Sequence, residues 1–152
     1  MAIFAKILLY EKVKNRNIDI LINNSGFGLC GEFTETDIDK EIEMIDINIK
    51  ALHILTKLFL KDMVKNNHGY VLNVASSAAF APGPLMATYY ATKAYIVRLS
   101  EGVHEELKRL KSNVKISILC PGPVETNFED VANVNFKIPK MKSYDVAKYA
   151  LN

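Results

Sequence analysis

The chain has 152 residues, 49% of them apolar and 24% charged, with a formal net charge of +2. That length supports one domain with a hydrophobic core, and the interspersed charge leaves no basic footprint for nucleic acid or an anionic membrane. No run approaches the ~20 apolar residues needed to span a bilayer.

The opening stretch Met1–Tyr10 is apolar but interrupted by Lys6. Glu11, Lys12 and Lys14 follow where a cleavable leader would carry small residues, so a cytoplasmic location is expected. Residues 2–15 predict an amphipathic helix, with Ile3, Phe4, Ile7, Leu8 and Glu11 at helical spacing. Asn15–Asn17 breaks it, and the short apolar run Ile18–Ile22 predicts a buried parallel strand ending at Asn23-Asn-Ser-Gly26.

Gly26-Phe-Gly28-Leu-Cys-Gly31 then fits G-x-G-x-x-G directly after a strand. A pyrophosphate loop needs its helix to open within the glycines, so that N-terminal N–H groups meet the phosphates. Here the capping residues Thr34, Thr36, Asp37 and Asp39 place the helix start beyond Gly31. The acidic residue expected ~20 positions on should end a second strand, whereas Asp46 falls inside a helix. The match is therefore read as a decoy.

The long helix that follows has Ile38, Ile42, Ile45, Ile49 and Leu52 as its predicted apolar face and ends near Asn66–Gly69. Tyr70–Val74 predicts the second strand. After the loop Pro82-Gly-Pro84, a second long helix runs from about Thr88 to Lys111. Val114–Leu119 predicts the third strand, stopped by Pro121-Gly-Pro123. Residues 125–142 read as irregular, and a last helix starts near Ser143. Alternation of strands and helices predicts an α/β fold, a parallel sheet with helices on both faces.

Tyr-x-x-x-Lys occurs three times, at Tyr10/Lys14, Tyr89/Lys93 and Tyr144/Lys148, and each match alone reads as a solvated helix face. Context singles out Tyr89. Ser76 precedes it by thirteen residues, just past a strand end, where ligands sit in open α/β sheets. Tyr89 and Lys93 share a helical face. Reduction of a carbonyl makes an alkoxide that must be protonated. A phenol at its ordinary pKa of ~10 exchanges protons poorly near neutrality, and a nearby ammonium would lower that value. The Ser76 hydroxyl could hold the substrate oxygen against the phenol, with Ser77 as the neighbouring hydroxyl at a spacing of twelve.

A serine hydrolase finds no support. Ser76 lacks a Gly-x-Ser-x-Gly elbow, and His53, His68 and His104 stand in no relation to it. The same histidines, isolated from each other and from Cys30 and Cys120, give no metal-ligand spacing, so no metal is expected. The two cysteines read as reduced core residues.

In order along the chain stand Asn23-Asn-Ser-Gly26, Asn48, Asn73-Val-Ala-Ser76, Tyr89-Tyr-Ala-Thr-Lys93 and Pro121-Gly-Pro-Val-Glu-Thr126. This ordered set resembles the short-chain dehydrogenase/reductase family over nearly the whole chain. The resemblance implies a Rossmann-like, doubly wound α/β fold and an oxidoreductase that uses NAD or NADP to interconvert a small-molecule alcohol and carbonyl. It makes Tyr89 the acid/base and Ser76 the residue that orients the substrate. Lys93 binds the nicotinamide ribose and lowers the tyrosine pKa, and Asn48 holds a relay water. Asn24, Ser25 and Gly26 line the adenosine side, while Val124 and Thr126 meet the carboxamide; Ser25 stands where Ala is more usual.

The family's opening strand and Thr-Gly-x-x-x-Gly-x-Gly turn have no counterpart before Ile18. The resemblance thus implies a single partial domain over 1–152, cut at both ends, with about three core strands. It implies weak cofactor binding by this chain alone. The alternative is a non-catalytic remnant or self-associating module, and a homo-oligomer through the two long helices fits either reading.

Overall fold

The structure, a computed structural model, describes residues 2–135 and 137–151, with side chains from residue 6 onward. Three parallel strands, β1 (Ile20–Asn23), β2 (Tyr70–Val74) and β3 (Lys115–Leu119), lie in the order β1-β2-β3. Register places Leu21 beside Val71 and Val71 beside Ile116. Six helices accompany them: α1 (Ala2–Val13), α2 (Ile38–Ile45), α3 (Leu52–Asn66), α4 (Ala87–Arg109), α5 (Phe128–Ala132) and α6 (Ser143–Ala150). This is the Rossmann-like α/β architecture expected.

Side chains alternate across a strand, so Leu21, Val71 and Ile116 share one face. There they pack with Phe59 and Met63 of α3 and Leu107 of α4. Burial of each large apolar side chain contributes about 1.5–3 kcal/mol, so this layer dominates the core. The opposite face is less covered: Ile20, Tyr70 and Ile22 remain 60%, 54% and 47% exposed. β1 is therefore an edge strand with one open face, rather than the fully buried strand predicted from its apolar run. Among described helices, α6 reaches this side, where Val146, Ala147 and Ala150 face Ile22, Leu72 and Val74 across a cleft.

Three other expectations change. α1 forms, but Ile7, Leu8 and Leu9 are exposed, and the packed residues are Tyr10 and Val13. Tyr10 donates to Asp62 Oδ2 at 2.6 Å and sets its ring edge-on to Phe59; that carboxylate acceptor pushes the phenol up to about 12. The side chains of Ile3 and Phe4 lie outside the described residues. Residues 125–142 contain a short helix, α5, and are tied at their neck by a parallel bridge between Val124 and Met141.

The third change concerns the helix after β1. Asp37 caps it, accepting from Asp39 N at 2.9 Å. Ile38 and Ile42 from the predicted stripe are 67% and 51% exposed. The buried face instead runs through Glu41, Met44, Asn48, Leu52, Thr56, Phe59 and Met63. A π-helical turn over Asp46–Ala51 separates α2 from α3. Such turns cluster at functional sites, and Asn48 lies within this one.

Polar members of that face form a buried network. Asn23 Nδ2 donates to Thr56 Oγ1 at 2.9 Å and to Asn73 Oδ1 at 2.8 Å. Asn73 Nδ2 donates to Ser100 Oγ at 2.9 Å, and Ser100 Oγ to the Ile96 carbonyl. β1, β2, α3 and α4 are thereby joined through one side chain, Asn73, which is fully buried.

Candidate active site

The strand ends and the start of α4 converge on a cleft of about 850 Å³. Ser76 follows β2 and caps a 3₁₀ turn over Ser77–Phe80, its Oγ accepting from Ala78 N at 3.1 Å. The turn is held to the segment beyond β3 by Ser77 N donating to the Pro121 carbonyl at 2.9 Å. Tyr89 stands in the first turn of α4, with Lys93 one turn later, both buried. Asn24, Gly26, Val124 and Thr126 line the same cleft. Ser25 is exposed and does not contribute to the wall. Cys30 and Cys120 are free thiols, half-buried.

Asn48 sits just behind that wall. Its Oδ1 accepts from Phe27 N at 3.1 Å, and its Nδ2 donates to the Phe27 carbonyl at 2.9 Å and to Thr92 Oγ1 at 3.0 Å. Thr92 Oγ1 in turn donates to the Tyr89 carbonyl at 2.7 Å. Asn48 thus ties the loop after β1 to the tyrosine's own turn. Gly26 makes that closeness feasible: a Cβ there would fall 3.0 Å from Asn48 Oδ1 and 3.4 Å from Lys93 Nζ.

Burial governs the electrostatics of the pair. Burial raises the Tyr89 phenol above its ordinary value, while a hydrogen bond with Ser76 acts in the opposite direction. Lys93 Nζ lies 5.7 Å from the centre of the Tyr89 ring and donates to the Val74 carbonyl at 3.2 Å. The lysine is itself desolvated, and its pKa falls to about 8. Removal from water disfavours both charged forms, phenolate and ammonium alike.

A prediction follows with a definite sign. The folded state holds the Lys93 proton less tightly than the unfolded chain does. Its burial is therefore a full penalty below about pH 8 that is relieved as pH rises toward the ordinary value of 10.5. Lys93→Met is expected to be more stable than the natural chain at pH 7, the difference closing above about pH 10. Denaturant titrations of both proteins across pH 6.5–10.5 check this (roughly the span of the lysine's shifted range).

The decoy glycines behave as expected. No helix opens among Gly26, Gly28 and Gly31, since α2 begins at Ile38. Gly31 N donates instead to the Leu85 carbonyl at 2.8 Å, and Cys30 N to the Ala132 carbonyl at 2.9 Å. The loop after β1 is thus stitched to the segments on either side of the cleft.

Sequence reasoning missed Glu41, Thr88 and Thr92. All three are held by buried or half-buried polar contacts around Tyr89. A buried carboxylate at an otherwise apolar helical step is the one signal that could have found Glu41.

Residues 6–135 match the short chain dehydrogenase family. The chain belongs to that family. It is 33% identical over 138 residues to a very-long-chain 3-oxoacyl-CoA reductase of Mycosarcoma maydis, covering 90% of this chain and 39% of that one. It is 35% identical over 141 residues to an uncharacterized short-chain type dehydrogenase/reductase of Sinorhizobium fredii, covering 90% and 54%. Among solved structures, a short-chain dehydrogenase of Sphingobium yanoikuyae in complex with NADPH superposes with a TM-score of 0.86 at 28% identity. That match covers 99% of this chain and 57% of that one. The closed form of serine dehydrogenase complexed with NADP+ superposes with a TM-score of 0.81 at 29% identity, covering 89% and 58%. The chain spans between 39% and 57% of the length of the curated relatives it matches. Among the described residues no helix is long and apolar enough to cross a membrane, and no cluster of three or more metal-ligating side chains occurs.

Proposed function

We propose that the chain carries the reaction centre of an NAD(P)-dependent oxidoreductase that interconverts an alcohol and a carbonyl, with Tyr89 as the acid/base. The observation that supports this most directly is one cleft holding three groups at the strand ends: the Ser76 hydroxyl, the buried Tyr89 phenol and the buried Lys93 ammonium. The fit of a nicotinamide nucleotide is supported by the same wall. Gly26 admits backbone close to Asn48 and Lys93. Lys93 gives one N–H to Val74 and has others to offer ribose hydroxyls, while Val124 and Thr126, assigned to a carboxamide by resemblance, line the cleft. Asn24 and Gly26, assigned to the adenosine side by resemblance, line the same cleft, and two structural relatives carry NADPH or NADP+. The choice between NAD and NADP stays open.

A bound nicotinamide would supply the hydride donor or acceptor for the substrate carbon. Ser76 holds the substrate oxygen by a hydrogen bond. Tyr89 delivers its proton to that oxygen as negative charge develops, or takes it back in the oxidative direction. Burial holds the phenol above its ordinary value, so Tyr89 carries its proton at neutral pH and can donate it. Lys93 keeps a positive charge below about pH 8 beside the cleft. Asn48 holds the loop at Gly26 and the turn of Tyr89 in one arrangement; by resemblance it is also the residue that would hold a relay water. The proposed setting is cytoplasmic.

A second reading, a non-catalytic module that self-associates, is favoured by the open β1 edge and the exposed Ile20, Ile22 and Tyr70. Exposed Ile38 and Ile42 offer a helical surface for the same purpose. Titration with NADPH and NADH, followed by melting temperature and size-exclusion volume, separates the two. An oxidoreductase centre is expected to gain stability with nucleotide, as any ligand binding the native state confers. Self-association with no shift at saturating nucleotide would instead favour the second reading.

A further inference from the structure

Glu41 and Lys93 are the two acidic or basic side chains among the described residues that are buried, Glu41 being 8% exposed. Buried carboxylates persist when hydrogen-bonded, because desolvation otherwise costs several kcal/mol (roughly, per ion). Glu41 has such partners on both oxygens. Thr36 Oγ1 donates to Oε1 in a short contact, and Thr88 Oγ1 donates to Oε2 at 2.8 Å. Thr36 belongs to the turn before α2, whereas Thr88 lies in the first turn of α4 and directly precedes Tyr89.

That placement answers a need. Helix α4 is the longest in the chain, and its N-cap residue, Met86, makes no side-chain capping bond. The positive end of its macrodipole therefore lacks a cap from its own sequence, and a carboxylate from a neighbouring helix suits it. A second grip lies one turn on, where Asn48 donates to Thr92 and Thr92 to the Tyr89 carbonyl. Glu41 and Asn48, on one continuous buried face, thus hold Thr88 and Thr92 on either side of Tyr89. Met44, between the two grips, packs in the same apolar cluster as Tyr89 and Met86.

We propose that Glu41 is a positioning residue, gripping Thr88 to fix the start of α4 and with it the placement of the Tyr89 phenol. Its value to the reaction rests on Tyr89 acting as the acid/base, but its test does not require turnover.

The full chain is labelled with [13Cζ]-tyrosine, and the Tyr89 resonance is identified by its loss in Tyr89→Phe. Its ionisation midpoint is then followed by NMR in Thr88→Val, Thr88→Ser and Glu41→Ala. Burial holds the phenol above its ordinary value, so release of the grip lowers the midpoint toward the ordinary ~10. Thr88→Val keeps the Glu41 charge and nearly the same volume. It is expected to lower the midpoint, whereas Thr88→Ser, which keeps the hydroxyl, should match the natural chain. Glu41→Ala should follow Thr88→Val, and the exposed Tyr144 and Tyr149 resonances should not move. An unchanged midpoint in folded Thr88→Val overturns the proposal, as does an equal fall in Thr88→Ser. Should Glu41→Ala fail to fold, Thr88→Val decides alone. Loss of the oxidoreductase assignment would be read separately, from unimpaired turnover in Tyr89→Phe.

Discussion

Replacing Tyr89 with Phe is expected to lower alcohol–carbonyl turnover by about 10²–10⁴-fold, the contribution typical of a positioned general acid/base. The ring stays. Phe keeps the contacts that Tyr89 makes with Phe128, whose ring centre lies 5.2 Å away, and with Met86 in the same cluster. Only the proton and the hydrogen bond with Ser76 are lost. A fall in kcat with nucleotide affinity retained would therefore report the missing proton rather than a collapsed cleft. Ser76→Ala should lose less, since the phenol survives, but it also removes the cap of the Ser77–Phe80 turn. Single-turnover measurements with bound NADPH and a ketone check both variants. Turnover in Tyr89→Phe within about threefold of the natural chain would sink the acid/base role, being far below the usual acid/base contribution.

Asn73→Leu is expected to be the most damaging substitution remote from the cleft, costing about 2–4 kcal/mol of stability. The volume is nearly conserved, so cavity formation adds little. The cost is polar. Asn23 loses its acceptor at 2.8 Å and Ser100 its donor at 2.9 Å, all in a fully desolvated setting. A buried network left partly satisfied is worse than none. Chemical denaturation should show the loss directly, and the melting temperature should fall by roughly 5–15 °C. A loss below about 0.5 kcal/mol, the size of an ordinary surface change, would mean that water replaces the missing partners.

How legible this molecule is from its sequence depends on which residues are asked. Tyr70–Val74 and the end of the helix at Asn66 follow from local chemistry. The run is rich in aromatic, β-branched and apolar residues, and Asn67 adopts the left-handed conformation that closes a helix. Ser76, Tyr89 and Lys93 were found by spacing and by position at a strand end, and the fold brings them into one cleft. The helix after β1 misled because Ile38, Ile42, Ile45 and Ile49 fall at helical spacing, while its buried face is built partly of Glu41, Asn48 and Thr56. Apolar periodicity cannot see a face whose polar members are satisfied by partners far along the chain, here Thr88, Thr92 and Asn73. The burial that raises the Tyr89 phenol and lowers Lys93 is likewise a product of tertiary packing, invisible in a four-residue spacing.

The π-helical turn at Asp46–Ala51 acts as a phase corrector. Met44, Asn48, Leu52 and Thr56 are spaced by steps of four, and each such step overshoots a 3.6-residue turn by about 40°. An unbroken α-helix would carry Thr56 about 120° round from Met44, so that the two could not both face inward. Widening one turn resets the angle. The segment that grips α4 and the segment that packs on the strands are thereby synchronised, and a one-residue deletion within 46–51 would throw one out of step with the other.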